Sequence, residues 1–159
     1  MPARRTATLA TLLALALSAA LAAPVLAAPV TIPGTPLTVY VDALGQLQAK
    51  RDTAERNIFF ESTSTTGDAG FFLAFPGPSG STALDGDVYG FDGHAGPNGL
   101  EDYAPVSQAA PTGSGTAADP LKQVTTYAVS PAPPAHLVDV TQTTTYVNGG
   151  QQFGVRWDV

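Results

Sequence analysis

The stretch Leu137–Val159, LVDVTQTTTYVNGGQQFGVRWDV, has the clearest strand pattern in the chain. Threonine, valine and tyrosine dominate its first half, residues 138–147, and such β-branched and aromatic side chains suit the pleated surface of a strand. The sequence NGG at 148–150 then supplies residues that accept a positive φ, as a tight hairpin turn requires. The stretch therefore predicts two antiparallel strands joined by a short turn.

The second half of this hairpin alternates apolar and polar residues. A period of two places successive side chains on opposite faces of a strand, so the apolar set shares one face. That set is Phe153, Val155, Trp157 and Val159. The opposite face is predicted to be polar and exposed to solvent, and its members are Thr141, Thr143, Thr145 and Arg156. We therefore expect the hairpin to form half of an antiparallel sheet that has one face on the core and the other face in solvent.

The turn leaves two strand registers open. If residues 148–149 are central, Val140 faces Trp157, whereas if residues 149–150 are central, Gln142 faces Trp157. Both registers keep the aromatic side chains on one face. The outer edge of the C-terminal strand would offer unpaired backbone groups to another strand, so self-association through this edge is expected.

Composition restricts the class of protein. The chain has 7 basic and 13 acidic residues, a net charge of −6, and losing Arg4 and Arg5 with a leader would leave 5 basic residues and a charge of −8. Because this charge repels polyanions and no basic patch is present in the sequence, nucleic-acid binding is not expected. The 16 glycines and 14 prolines favour many short strands joined by turns. With no cysteine, disulfides and thiolate metal sites are excluded.

Three segments divide the chain. Residues 1–27 have a positive start and a leucine- and alanine-rich run that ends in small residues, which predicts a cleaved signal helix and export from a bacterial cell, with a permanent membrane anchor as the alternative. Residues 28–36 form a proline-rich, extended N-terminal segment. Residues 37–159 are predicted to form a single antiparallel β-sandwich domain of seven or eight short strands. The protein is therefore expected to be all-β and secreted, either extracellular or on the cell surface.

Within this domain, the segment 42–57 fits either a helix or the turn and return strand of a hairpin, and Gly45 favours the hairpin. The apolar runs NIFFE at 57–61 and GFFLAF at 70–75 predict two strands covered on both faces at the centre of the sandwich. Residues 108–120, rich in alanine, threonine, glycine and proline, predict a flexible surface loop. Residues 121–130 again have strand composition.

The best candidate for a metal site lies in the sequence DGDVYGFD at 85–92. Aspartates at alternate positions with a glycine for a sharp turn provide the hard oxygen ligands that calcium prefers. The candidate ligands are Asp85, Asp87 and Asp92, with Asn98, Glu101 or Asp102 as further oxygen donors. Position 89 is a tyrosine and position 96 a glycine, which departs from the EF-hand pattern, and aspartate and glycine are also common turn residues. Calcium is therefore the one cofactor predicted.

Aromatic residues near the same loop suggest a sugar-binding platform. Tyr89, Phe91 and Tyr103 are the candidates, because a sugar ring stacks on aromatic faces. The alternative is that the three side chains pack at the edge of the core, as aromatic residues usually do.

Catalytic motifs are missing from the sequence. The serines at 77–81 and 112–115 do not form a G-x-S-x-G elbow, and His94 and His136 have no paired partner in the sequence. The loop aspartates could also form the carboxylate pair of a glycosidase, but sequence does not give the separation that this chemistry needs. An enzyme is therefore not expected.

Three segments of the C-terminal third carry a resemblance to a known kind of module. They are Gln123–Tyr127, Val140–Gly149 and Phe153–Val159. Together they resemble a β-sandwich module near the N-terminus of large secreted bacterial proteins. In such modules the tryptophan-bearing strand runs on into further strands, so the resemblance implies a structural or surface-binding role and a truncated reading frame.

These features predict an exported, non-enzymatic β-sandwich module. Its role would be structural, or it would bind a polysaccharide or a protein partner at a surface. The alternative is a carbohydrate-binding appendage or the remnant of a secreted hydrolase.

Overall fold

The computed structural model describes residues 28–76, 88–91, 100–129 and 137–159, and these residues form ten strands and no helix. The strands are β1 Val30–Ile32, β2 Leu37–Val41, β3 Leu47–Arg51, β4 Leu73–Ala74, β5 Val88–Gly90, β6 Leu100–Asp102, β7 Ala104–Gln108, β8 Leu121–Val129, β9 Val138–Tyr146 and β10 Gly154–Asp158. The prediction of an all-β protein is therefore confirmed. The predicted signal helix, residues 1–27, lies outside the described residues.

The ten strands form three sheets, with the orders β1-β2-β3, β10-β9-β8-β7 and β4-β5-β6. The strand count exceeds the seven or eight expected because several strands are only two or three residues long. Neighbouring strands are antiparallel except β5 and β6, which are parallel. The expectation of a purely antiparallel protein is therefore wrong at this pair. No membrane-crossing helix occurs in the part of the chain that the structure describes.

Two clusters of buried residues form the core. The first joins the β1-β2-β3 sheet to the end of β9 and consists of Ile32, Leu37, Val39, Val41, Leu47, Ala49 and Tyr146. The second joins β5 to the four-stranded sheet and consists of Leu44, Tyr89, Phe91, Tyr103, Tyr127, Val129 and Val140. The half-buried Trp157 of β10 packs against both clusters. The C-terminal hairpin therefore covers apolar surface from two parts of the core.

The segment after β2 is a hairpin turn, as Gly45 favoured. The Asp42 carboxylate accepts hydrogen bonds from the backbone N–H groups of Leu44 (2.9 Å) and Gln46 (2.7 Å). Gly45 has a φ of 79°, and a Cβ atom there would lie 2.3 Å from Cε1 of Tyr127. Only glycine therefore meets both the conformational and the steric demand at this turn.

The apolar run at 57–61 does not form the predicted central strand. Among the described residues, its only ladder contact is the isolated bridge between Lys50 and Asn57. Ile58 and Phe60 are 55% and 67% exposed, and only Phe59 packs against the first cluster. The backbone of the segment is bonded to β3 only at its start, where the Ala49 carbonyl accepts the Ile58 N–H (2.7 Å), and the buried Gln48 side chain then replaces the strand as its partner. Gln48 Oε1 accepts the Phe59 N–H (2.9 Å), and Gln48 Nε2 donates to the Phe59 carbonyl (3.1 Å).

The second apolar run, 70–75, contributes only the two-residue strand β4. Phe71 and Phe75 pack against the second cluster, whereas Phe72 is 44% exposed and lies beside Phe91 with ring centroids 5.0 Å apart. The run is therefore not covered on both faces as expected.

The loop between β7 and β8 is a compact turn rather than the flexible excursion expected from its composition. The Asp119 carboxylate accepts the Ser114 N–H at 2.8 Å, and the Asp119 carbonyl accepts the N–H groups of Gly115 (2.9 Å) and Thr116 (3.1 Å). Gly113 and Gly115 adopt positive φ. Local hydrogen bonds to one aspartate thus order a segment whose composition resembles a linker.

Candidate binding surface on the four-stranded sheet

The hairpin β9–β10 has the register that pairs Gln142 with Trp157, the second of the two predicted. The Gly150 N–H nevertheless donates to the Val147 carbonyl (3.0 Å), so Asn148 and Gly149 are the central residues of a four-residue turn. Gly149 has a φ of 86°. Three residues, 151–153, separate this turn from β10, whereas only Tyr146 separates it from the paired part of β9. This difference of two residues makes the turn compatible with the register.

One face of the β8–β9 pair is buried and carries an unusual polar layer. Between apolar neighbours, the four residues at its centre are fully buried and polar: Gln123, Thr125, Gln142 and Thr144. They form two cross-strand pairs, because Gln123 lies opposite Thr144 and Thr125 lies opposite Gln142. Buried amides and hydroxyls are costly unless they find hydrogen-bond partners, so this layer requires a specific arrangement.

Gln142 is the centre of this arrangement. Its Oε1 accepts hydrogen bonds from the Tyr127 hydroxyl (3.2 Å) and from the Trp157 indole Nε1–H (2.8 Å). Its Nε2 donates to Thr144 Oγ1 at 3.4 Å. One amide therefore fixes an aromatic side chain from the strand on each side of β9.

Two more glutamines take part in this network, Gln123 within the layer and Gln108 beside it. Gln108 Nε2 donates to the Val41 carbonyl at 2.8 Å, which joins β7 to β2. Gln123 Nε2 donates to Thr125 Oγ1 at 2.6 Å, whereas Gln123 Oε1 is buried and makes no hydrogen bond to the described residues. The amides thus connect sheets as well as neighbouring strands. The sequence signal for this layer was the TQTTTY alternation, which puts Gln142 and Thr144 on the same face as Val140 and Tyr146.

The opposite face of the same strands reaches solvent, as predicted, and presents a row of hydroxyl groups. We call it the threonine face and define it by Thr126, Thr141, Thr143, Thr145, Gly154 and Arg156; its threonines are half-buried and its two β10 residues exposed. Thr126 and Thr141 are paired across β8 and β9, with their Oγ1 atoms 3.5 Å apart. On β10, Gly154 lies opposite Thr145 and Arg156 opposite Thr143.

Two open depressions of about 290 and 390 Å³ lie along the threonine face and share Thr145 and Gly154 in their linings. One is completed by the turn, through Gln152 and half-buried Phe153, and the other by Thr143 and Arg156. A Cβ atom at position 154 would lie 3.0 Å from Thr145 Oγ1. The absence of a side chain at Gly154 therefore leaves space beside the Thr145 hydroxyl, at the place that both depressions share, and we call the two depressions together the groove.

Arg156 is held beside this groove by Asp158. The Arg156 Nε–H donates to Asp158 Oδ1 at 2.9 Å, and Nη2 donates to the same oxygen at 2.5 Å. The two side chains are 76% and 47% exposed, so the ion pair orients the guanidinium but adds little to folding stability.

The predicted aromatic platform is not present in this arrangement. Tyr89, Phe91 and Tyr103 are at most 3% exposed and belong to the second core cluster. Their faces are occupied by protein: Tyr103 stacks near Tyr89 and lies 4.7 Å, centroid to centroid, from Tyr127. A sugar ring therefore cannot stack on them here, and the alternative of core packing describes them correctly.

Burial also changes the acid–base chemistry of two tyrosines. Desolvation raises the pKa of Tyr103 well above its usual value, although the nearby Leu73 backbone opposes this. Within the described part of the chain, Tyr103 Oη makes no hydrogen bond of normal geometry. Desolvation, followed by the neighbouring Tyr103, likewise raises the pKa of Tyr127. Both hydroxyls are therefore neutral at physiological pH.

The three aspartates predicted to bind calcium, Asp85, Asp87 and Asp92, lie outside the described residues, as do His94 and His136. Glu101 and Asp102 lie in β6, and one carboxylate oxygen of Asp102, Oδ1, is buried without a hydrogen bond from the described residues. Among the residues that the structure describes, no three acidic or histidine side chains cluster as a metal site would require.

No protein-family model, curated protein or solved structure matches the chain.

Proposed function

We propose that the protein is an exported, non-enzymatic β-sandwich module of the bacterial cell surface or extracellular space that binds a ligand through the threonine face. One observation carries this proposal: the strands that bury a hydrogen-bonded layer on one side present, on the other, a row of threonines beside a groove lined in part by Thr143 and Thr145. A rigid sheet is a suitable platform for such a groove, because neighbouring strands fix the positions of its side chains.

The chemistry of the groove favours a neutral polysaccharide. Alternate residues of a strand lie about 7 Å apart, so Thr141, Thr143 and Thr145 offer hydroxyls at intervals along an extended polymer. The cation of Arg156 is already paired with Asp158, and the net negative charge of the chain disfavours polyanions. Half-buried Phe153 at one end supplies apolar surface for a sugar ring.

A sedimentation assay tests this proposal. The mature chain, residues 28–159, would be mixed with insoluble neutral polysaccharides such as cellulose, xylan and starch. We expect one of them to retain the protein, and we expect Gly154→Thr to lower the affinity at least about tenfold by filling the groove. Loss of the Thr145 hydroxyl in Thr145→Val should weaken retention as well. Thr65→Val is the matched control for Thr145→Val, because Thr65 is an exposed loop threonine far from this sheet in sequence.

Two results would overturn the proposal. Equal retention of the wild type and Gly154→Thr would place binding elsewhere, and no retention by any of the three polymers would exclude this ligand class. Release of reducing sugar from a retained polymer would instead support the alternative of a hydrolase remnant.

The proposed export requires removal of residues 1–27. Mass spectrometry of protein recovered from the medium or cell surface of an expressing bacterium should give a chain that begins near Ala28. Recovery of the full-length chain from the cytoplasm alone would contradict export.

A further inference from the structure

The two outer strands of the four-stranded sheet differ in how open their edges are. β7 contains Pro105, which has no N–H group, and its pairing with β8 is interrupted by a bulge between Pro105 and Ser107. Proline and bulges are the features that protect a sheet edge from a further strand. β10 has neither, and among the described strands it is paired only with β9. Among the described residues, the sheet therefore has one blocked edge, β7, and one open edge, β10.

We propose that the open edge of β10 pairs with β10 of a second copy of this chain, antiparallel and about a two-fold axis at Trp157. Residues directly opposite each other in an antiparallel pair point to the same face, so a symmetric pair must be centred on a residue. The choice among the central residues of β10 is decided by charge.

A pair centred on Arg156 would place the two Arg156 side chains opposite each other, and like charges at opposed positions destabilise a sheet. A pair centred on Val155 would place Arg156 opposite Gly154 and leave both charges unmatched. A pair centred on Trp157 places Arg156 of each copy opposite Asp158 of the other. Both charges are already on the exposed face, where the two side chains are 76% and 47% exposed. Only this register gives two complementary charge pairs across the interface.

The blocked edge limits the assembly to two copies. After two β10 strands pair, both outer edges of the eight-stranded sheet are β7 strands, and each carries Pro105 and the bulge. The interface is isologous and leaves no open edge of this sheet for a third copy. The two-fold axis is perpendicular to the sheet, so both threonine faces point the same way. Pairing does not depend on the polysaccharide proposal, but it would give a polymer two adjacent binding sites.

Charge-reversal variants test the register. The mature chain would be studied by sedimentation velocity over a range of concentrations. In the proposed register, a dimer of Arg156→Asp would contain two aspartate–aspartate pairs across the interface, and a dimer of Asp158→Arg would contain two arginine–arginine pairs. We expect each variant to raise the dimer dissociation constant about tenfold or more, since each converts two attractive pairs into two repulsive pairs. An equimolar mixture should form a heterodimer, because aspartates at 156 and 158 of one copy then face arginines of the other.

The mixing experiment separates pairing from folding, because neither variant retains the Arg156–Asp158 ion pair within its own chain. Arg51→Asp, the same change at an exposed position of β3, should leave the dimer unchanged. Circular dichroism would establish that each variant is folded. A wild-type chain that stays monomeric at about 100 µM would overturn the proposal, as would variants that separately dimerise as tightly as the wild type or that do not associate more tightly when mixed.

Discussion

At the scale of single residues, Gln142 joins the two strands beside β9 through one oxygen atom. Both donors to that oxygen, the Tyr127 hydroxyl and the Trp157 indole, lie on the core side of the sheet. A leucine at position 142 has a similar volume but no acceptor. Because an unsatisfied buried donor costs about 1–3 kcal/mol, Gln142→Leu should lower the free energy of unfolding by about 2–4 kcal/mol, measured by urea denaturation followed by circular dichroism.

The variant Trp157→Phe tests how much of this loss comes from the indole hydrogen bond. It removes one donor together with some packing, so the combined variant Gln142→Leu/Trp157→Phe should lose less stability than the sum of the two single changes. Strict additivity would show that the indole hydrogen bond contributes nothing.

Two glycines with similar backbone conformations should respond differently to alanine. Gly149 has a φ of 86°, and a Cβ atom added there would have no described atom within 4 Å, whereas at Gly45, with a φ of 79°, the added atom would lie 2.3 Å from Tyr127. Gly149→Ala therefore introduces backbone strain alone, about 1 kcal/mol. Gly45→Ala adds a steric clash in the core and should cost about 1–3 kcal/mol more, measured by urea denaturation. Equal losses would show that the Tyr127 ring moves aside without cost.

At the scale of elements, the sequence pattern predicted the hairpins well because their signals are local. The return strand β3, strand β8 and the β9–β10 pair all lie close to their predicted positions, because strand-favouring composition next to turn residues marks each of them. The apolar run at 57–61 was misassigned because composition does not show that the Gln48 side chain replaces β3 as the hydrogen-bond partner after Ile58. The groove was missed because it depends on which residue faces Thr145, and that residue, Gly154, is known only once the register is known.

The calcium prediction also belongs to this scale, because it concerns one loop. If Asp85, Asp87 and Asp92 bind the ion, millimolar calcium should raise the melting temperature of the mature chain, and Asp87→Ala should remove the rise. Asp52→Ala, a change at an exposed turn aspartate, is the control and should keep it. A melting temperature that does not respond to calcium would refute the site.

At the scale of the whole molecule, the two core clusters connect the three sheets through side chains from distant parts of the chain. The sandwich arrangement stays a prediction, since sequence periodicity predicts which face of each strand is buried but not which two sheets pack against each other. The second cluster is rich in tyrosine, and this has a consequence for stability at alkaline pH.

The contribution of Tyr103 and Tyr127 to stability should be constant up to about pH 10 and fall above it. In the unfolded chain tyrosines ionise near pH 10, whereas burial raises the pKa of both Tyr103 and Tyr127 in the folded protein. Above pH 10 the unfolded state therefore binds fewer protons than the folded state, so the free energy of unfolding falls as pH rises. The slope should reach at most about 1.4 kcal/mol per pH unit for each tyrosine. Urea denaturation at pH 9 and 11 measures it, and in Tyr103→Phe the fall should be smaller.

Trp157 is the only tryptophan of the chain, so tryptophan fluorescence reports on this single position. Its ring stacks on Phe71 with centroids 5.5 Å apart, and its N–H is bonded to Gln142. All tryptophan emission of the protein therefore comes from one point on the open strand, in contact with both core clusters. Local opening of the C-terminal hairpin would shift this emission to longer wavelength while the remaining sheets keep their far-ultraviolet signal.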